Sequence, residues 1–218
     1  MPKVILMSIK PKYVAEILNH RKTIEIRKTA PKCALPIDVY IYCTKTDYIC
    51  HISEKYVGKV VAKFTLREVE KFDFISERKY EDNPLKYNEE IRKHNRICKE
   101  ACVSPVEVVC YLDTKYLGSD NSFGMFGYAW HISDLEIFDE PKELWRFQKP
   151  GTHDQYLRSL QAAREDDLKL CEKYGFDQWD MYEENVVANG EELTEEAYKM
   201  GAYGLQRPPQ SWQYVEEG

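Results

Sequence analysis

The sequence lacks any long run of apolar residues. The apolar run closest to its N-terminus covers only Val4 to Ser8, within MPKVILMSIK. The core of a signal peptide needs at least about seven apolar residues, and a membrane-spanning helix needs about twenty. We therefore expect a cytoplasmic protein with no attachment to a membrane.

Basic residues are not in excess, which excludes one class of nucleic-acid-binding protein. The chain has 31 lysines and arginines against 37 aspartates and glutamates, and its net charge is -6. A protein that coats long duplexes neutralises many phosphates and needs a surplus of positive charge. Any nucleic-acid site on this chain must therefore be local.

The seven cysteines lack the pairing expected of a disulfide framework. Their number is odd and no C-x-x-C motif is present, so we expect reduced thiols. His94, Cys98 and Cys102 recur every fourth residue and could place three metal ligands on one helix face, but no second cluster completes a zinc site. We interpret this face as a buried one, and we predict no metal and no cofactor.

Apolar residues are nevertheless numerous enough for a normal core. The chain is 43% hydrophobic and 13% aromatic over 218 residues, which fits one large domain or one domain with an insertion. Hydrophobic periodicity predicts a strand-rich core, a helix that begins at Pro11 and a short helix that begins at Pro141. The predicted strands cover residues 3–9, 22–28, 38–44, 58–72, 106–112, 126–138 and 211–215, and two charged helical segments cover 70–105 and 149–204.

The stretch HRKTIEIRK, from His20 to Lys28, carries an unusual set of charges for a strand. Ile24 and Ile26 can enter a core, and alternation then places Thr23, Glu25 and Arg27 on the opposite face. Arg27 offers a planar fork of donors and Lys22 a point charge, a combination that suits a phosphate or the edge of a base. Glu25 can hold Arg27 in place or accept a hydrogen bond from an exocyclic amine. The alternative is a ladder of surface ion pairs on an exposed strand face.

These residues also carry a resemblance to a known family. The run MSIKPKYVAEILNHRKTIEIRK, with GKVVAKFTLREVEKF and GYAWHISDLEIFDEPKEL, resembles the ASCH domain of the PUA-like superfamily. The family's marker motif is G-x-K-x-x-E-x-R, and Lys22, Glu25 and Arg27 match it. His20 stands at the glycine position, although a residue with a Cβ does not readily adopt positive φ.

The resemblance implies an α+β fold: a PUA-like mixed β-barrel with a helix after the first strand. The barrel domain would comprise residues 1–148 and 205–218 with a helical excursion at 70–105, and residues 149–204 would form a helical insertion.

The resemblance also implies binding of RNA or of a modified nucleotide or nucleobase in a cleft. The marker residues would line this cleft, with Ser8 and Lys10 nearby at the entry to the first helix. Trp130, His131 and Trp212 are candidates for its wall, because a base needs an aromatic face as well as donors to its edge. Ordinary core packing is the alternative for each tryptophan.

Two other functions remain open, and the sequence leaves undecided whether the protein is an enzyme. Some small bacterial ASCH proteins are amidohydrolases that remove an acyl group from the N4 amine of acetylated cytidine. They use the marker lysine, here Lys22, together with a threonine three residues later and a distant glutamate. Glu25 stands in place of that threonine, and Thr23 could substitute for it. In the third hypothesis the two helical segments bind a protein partner.

Overall fold

The computed structural model describes residues 4–45, 52–73, 84–112, 126–174, 194–195, 197–198, 201 and 204–217. The chain divides into two compact units. Residues Met7–Pro141 form the first, which we call the marker unit because it contains the marker motif. Met1–Leu6 and Lys142–Gly218 form the second, which we call the terminal unit.

The marker unit combines a sheet with three helices, as expected for an α+β fold. The hydrogen-bonded strand order is β2-β5-β4-β3-β1, and the pairs β2–β5 and β3–β4 are antiparallel. The strands are β1 (Val4–Ile9), whose second half belongs to this unit, β2 (Ile24–Arg27), β3 (Ile37–Cys43), β4 (Val60–Asp73) and β5 (Phe126–Lys142). The helices are α1 (Pro11–Leu18), α2 (Pro84–Glu100) and α3 (Pro105–Leu112).

The sheet of the marker unit is not closed into the predicted barrel. A closed barrel requires a backbone ladder between the first and last strands of the order. In the marker unit those strands are β2 and β1. Over the described residues, β2 is hydrogen-bonded only to β5, and within this unit β1 is hydrogen-bonded only to β3. The α+β class is confirmed, and the closed barrel is not.

Residues 106–112, predicted as a strand, form the helix α3. Ser104 and Glu107 make a capping box: the Glu107 amide donates to Ser104 Oγ at 3.2 Å, and the Ser104 amide donates to Glu107 Oε2 at 2.9 Å. Pro105 occupies the first helical position, where its missing N–H is not needed. The strand prediction was wrong because these start signals outweigh the strand preference of the valines that follow.

Hydrophobic packing in the marker unit joins β2 to the helices α2 and α3. Ile24 and Ile26 belong to a buried cluster on one face of the sheet. The other members come from β4, β5, the two helices and the residue that follows α2, and they are Phe72, Ile97, Cys98, Ala101, Val108 and Ala129. The segment 70–105, interpreted from the sequence as a helical excursion, therefore contributes to the core that packs against β2.

The terminal unit contains the start of β1, the strands β6 (Phe147–Gln148) and β7 (Trp212–Glu217), and the helix α4 (Thr152–Tyr174). Its strand order is β1-β7-β6, with β6 and β7 antiparallel. The predicted last strand and the long helix after residue 150 are confirmed. The short helix predicted from Pro141 is wrong: β5 stays extended through Lys142, where a proline is tolerated at a strand end, and only the 3-10 turn Leu144–Arg146 follows. Over the described ranges, no helix has both the length and the apolar character needed to cross a bilayer.

Candidate functional site

The strand β2 is buried on both faces. Ile24 and Ile26 pack against the α2–α3 side, whereas Glu25 and Arg27 lie on the opposite face and are 8% and 6% exposed. In the register with β5, Glu25 is opposite Trp130 and Arg27 is opposite Tyr128. Four consecutive residues of a short strand are thus removed from solvent, and two of them are charged.

Two ion pairs connect the marker residues. Glu25 Oε2 lies 3.1 Å from Lys22 Nζ, and Glu25 Oε1 lies 3.1 Å from Arg27 Nη2. The exposed fraction of the side chain is 10% for Glu25, 2% for Lys22 and 7% for Arg27. This burial is incompatible with a ladder of surface ion pairs. We refer to Lys22, Glu25 and Arg27 as the marker cluster.

Backbone carbonyls from two other elements hold the cations of this cluster. Lys22 Nζ donates to the Ala101 carbonyl at 2.7 Å, directly after the last residue of α2. The C-terminal end of a helix carries partial negative charge and stabilises a cation there. Arg27 Nη2 donates to the Ser8 carbonyl at 2.8 Å, in β1. The cluster is therefore fixed by β1, β2 and α2 together.

The turn before β2 keeps the geometry that the marker glycine would favour. Helix α1 ends in a Schellman motif, in which the His20 amide donates to the Ile17 carbonyl and the Arg21 amide to the Glu16 carbonyl. His20 occupies the left-handed position with φ 58°. Glu16 also accepts from the Lys22 amide at 3.1 Å, so this turn delivers Lys22 to the cluster.

Among the other predicted site residues of the marker unit, the structure places Ser8 and Trp130 beside the marker cluster and the rest elsewhere. Ser8 joins the cluster through its carbonyl, whereas the Lys10 side chain is exposed at the start of α1. Trp130 is fully buried, and its indole N–H donates to the Thr29 carbonyl at 3.2 Å. His131 is opposite Ile24 and therefore lies on the α2 side of the sheet, with Nε2 3.6 Å from Glu70 Oε2.

Trp212 and Thr23 are the two remaining residues considered for the site, and neither belongs to β2. Trp212 lies on β7 in the terminal unit, where its ring meets that of Tyr214 edge to face. Thr23 is exposed, although strand alternation predicts it beside Glu25 and Arg27. The strand begins only at Ile24, so Lys22 turns inward in its place. The hydroxyl that could substitute for the family's threonine is thus on the surface.

The predicted buried face of α2 is confirmed at His94 and Cys98, whereas Cys102 lies beyond the end of the helix, at φ 52°, and is half-buried. His94 and Cys98 are buried, with Cys98 Sγ 3.7 Å from His94 Nδ1. Burial lowers the pKa of His94 and raises the pKa of Cys98, so the environment favours the neutral form of both side chains. Among the described side chains, no group of three or more His, Cys, Asp or Glu is positioned to hold a metal ion.

Sequence reasoning missed the two carbonyls that anchor the cluster. Ser8 was expected near the marker without a stated contact, and Ala101 was not predicted at all. Ala101 lies 79 positions from Lys22, in a segment interpreted as an excursion. A backbone carbonyl has no side-chain chemistry, so the sequence contains no signal that would have identified it.

Comparisons with known proteins gave matches only among solved structures. No family model and no curated protein matches the chain. The crystal structure of ASCH from Zymomonas mobilis aligns at 16% identity over 98% of this chain and 87% of that chain, with a TM-score of 0.46. That crystal structure is of a member of the family that the sequence resembles.

Two single-substitution variants of that protein from Zymomonas mobilis also align. One has 17% identity over 66% of this chain and 77% of that chain, with a TM-score of 0.41. The other has 14% identity over 98% and 88%, with a TM-score of 0.45.

Proposed function

We propose that the marker unit binds RNA or a nucleotide, including one with a modified base, and that the marker cluster contacts the base or its phosphate. The support comes from the chemistry of the cluster. Arginine presents paired donors that match a phosphate or the acceptor edge of a base, and lysine adds a point charge. A carboxylate between them accepts from an exocyclic amine.

One observation carries the proposal. Glu25 Oε2 is buried and, although it lies near Lys22 Nζ, it accepts no hydrogen bond of good geometry from the protein. The ion pair with Lys22 compensates part of the lost hydration, and a carboxylate oxygen retains capacity for a further hydrogen bond. An exocyclic amine of a bound base would supply a well-aligned donor.

The contacts of Lys22 favour binding over hydrolysis. Its nitrogen donates to the Ala101 carbonyl at 2.7 Å and lies 3.1 Å from Glu25 Oε2, so both contacts use it as a donor. A lysine that activates a nucleophile in an amidohydrolase must accept a proton instead. The carboxylate that replaces the family's threonine also supplies no hydroxyl.

The test incubates the full chain with a pool of canonical and modified nucleosides, nucleotides and short RNA oligomers. Mass spectrometry then identifies what the protein retains and what new products appear in solution. Glu25→Gln keeps the volume of the side chain but replaces an acceptor oxygen with an amide nitrogen. Asp134→Asn is the matched control, because Asp134 pairs with Arg67 on the surface of the same unit, where both side chains are about 60% exposed.

We expect retention of at least one pool member by the wild type and by Asp134→Asn, and at least tenfold weaker retention by Glu25→Gln. No retention by the wild type, or equal retention by all three proteins, would overturn the proposal. A product that disappears in Lys22→Ala would instead establish an enzyme, and cytidine formed from N4-acetylcytidine would establish the amidohydrolase alternative.

A further inference from the structure

One face of β5 continues from the marker cluster to the protein surface. Tyr128 is opposite Arg27, and directly opposed residues of paired strands place their side chains on the same face. Phe126 precedes Tyr128 by two positions and shares that face. Phe72 packs with Ile24 on the other side of the sheet. The rings of Phe126 and Tyr128 are therefore not part of the core formed with α2 and α3.

The side chains on this face form a connected series. The rings of Phe126 and Tyr128 meet edge to face, with centroids 5.7 Å apart. Lys71, from β4, places its Nζ 4.2 Å from the centroid of the Phe126 ring. Exposure rises along the series, from 6% at Arg27 to 41% at Phe126, and Lys71 is exposed.

We propose that Phe126, Tyr128 and Lys71 form a second subsite, which binds the nucleotide adjacent to the one at Arg27. The proposal rests on the proposed function and narrows its ligand to a single-stranded oligonucleotide. Aromatic rings stack on any base, and a lysine beside them can pair with the connecting phosphate. A single exposed phenylalanine needs no explanation. Here two aromatic rings lie beside a lysine on the face that also holds Arg27, and a single strand is bound by this combination of stacking faces and positive charges.

The net charge of the chain agrees with a short ligand. At -6, the protein does not attract long nucleic acids over its whole surface. A segment of two or three nucleotides needs only the local charges of Arg27 and Lys71.

The experiment compares two classes of probe by isothermal titration calorimetry. The first class is the four ribonucleoside 5′-monophosphates, and the second is the four homopolymeric RNA trinucleotides. The proteins are the wild type, Phe126→Ala, Lys71→Gln and the control Ile137→Ala, whose side chain is also exposed on β5 (37%). Circular dichroism verifies that each variant is folded.

We expect at least one trinucleotide to bind tenfold or more tightly than its monophosphate. Phe126→Ala should weaken trinucleotide binding about tenfold and leave monophosphate binding unchanged. Lys71→Gln should reduce the slope of log affinity against log salt by about 0.7, the value for one phosphate contact of a single strand. Ile137→Ala should change neither.

Two results would overturn the second subsite, and they are distinguishable. If monophosphates bind as tightly as trinucleotides and Phe126→Ala has no effect, the ligand is a single nucleotide and only the second subsite is wrong. If no probe binds here and the wild type retains nothing from the larger pool, the proposed function fails as well.

Discussion

Arg27 Nη2 donates to the Ser8 carbonyl at 2.8 Å and thereby connects β2 to β1, the two strands at the ends of the sheet order in the marker unit. This side-chain hydrogen bond lies where a closed barrel would have a backbone ladder. The same guanidinium pairs with Glu25, so one side chain serves both the sheet and the candidate site.

Arg27→Ala should therefore destabilise the protein strongly. The substitution leaves the buried Glu25 carboxylate with only one of its two cations, and the loss of one partner from a buried ion pair costs about 3 kcal/mol. Arg67→Ala is the matched control, because Arg67 pairs with Asp134 in solvent and should cost at most about 1 kcal/mol. Urea unfolding followed by tryptophan fluorescence measures both. Equal losses in the two variants would show that the buried network does not support the fold.

The α2–α3 segment should contribute to the stability of the marker strand. Ile97 is fully buried in the cluster that contains Ile24 and Ile26, whereas Leu85 on the same helix is 84% exposed. We expect Ile97→Ala to lower the free energy of unfolding by about 2–4 kcal/mol and Leu85→Ala to change it by less than about 0.5 kcal/mol. Thermal or urea unfolding tests this. If Ile97→Ala lowers the free energy of unfolding no more than Leu85→Ala does, α2 does not stabilise the sheet.

His20→Gly should stabilise the protein. His20 adopts φ 58° in the Schellman motif that ends α1, a conformation that costs a residue with a Cβ about 1 kcal/mol relative to glycine. We expect a gain of about that size and a higher melting temperature. Asn19→Gly is the control: Asn19 has φ −91°, and its side chain donates to the Ala15 carbonyl, so the substitution should bring no gain. A loss of stability in His20→Gly would point to a role for the imidazole itself.

The stability contributed by Glu107 should depend on pH. The Lys12 ammonium, together with the Ser104 amide, lowers the pKa of Glu107 from 4.5 to about 2. A carboxyl group with a lower pKa in the folded than in the unfolded state stabilises the fold above pH 4.5, and this contribution is lost as the pH falls towards 2. The Glu107 side chain is 45% exposed, so the effect should stay below about 1 kcal/mol.

Glu107→Gln isolates this charge effect, since glutamine can retain the capping box with Ser104. The wild type should be more stable than the variant at pH 7, and the two should converge below pH 2. Urea midpoints at a series of pH values provide the measurement. A difference that stays constant from pH 7 to pH 2 would contradict the assignment.

Most of the sheet and part of the candidate site could be predicted from the sequence. Alternation around Ile24 and Ile26 identified β2 and placed Glu25 and Arg27 on a shared face, because strand periodicity is a local property. Residues 106–112 were mispredicted, since their valines favour a strand while Ser104 and Glu107 start a helix. The burial of the marker cluster was also beyond prediction: it depends on Ser8 and Ala101, which approach the cluster only through tertiary packing.

The hydrogen bond between Lys22 and Ala101 has a consequence for the order of folding. The two residues are 79 positions apart, so the intervening chain must close a long loop before the bond can form. During synthesis the marker motif leaves the ribosome well before α2 is complete. The marker residues are therefore synthesised well before their site can form. A fragment that ends before residue 101 would contain every marker residue but would lack the Ala101 carbonyl that accepts from Lys22.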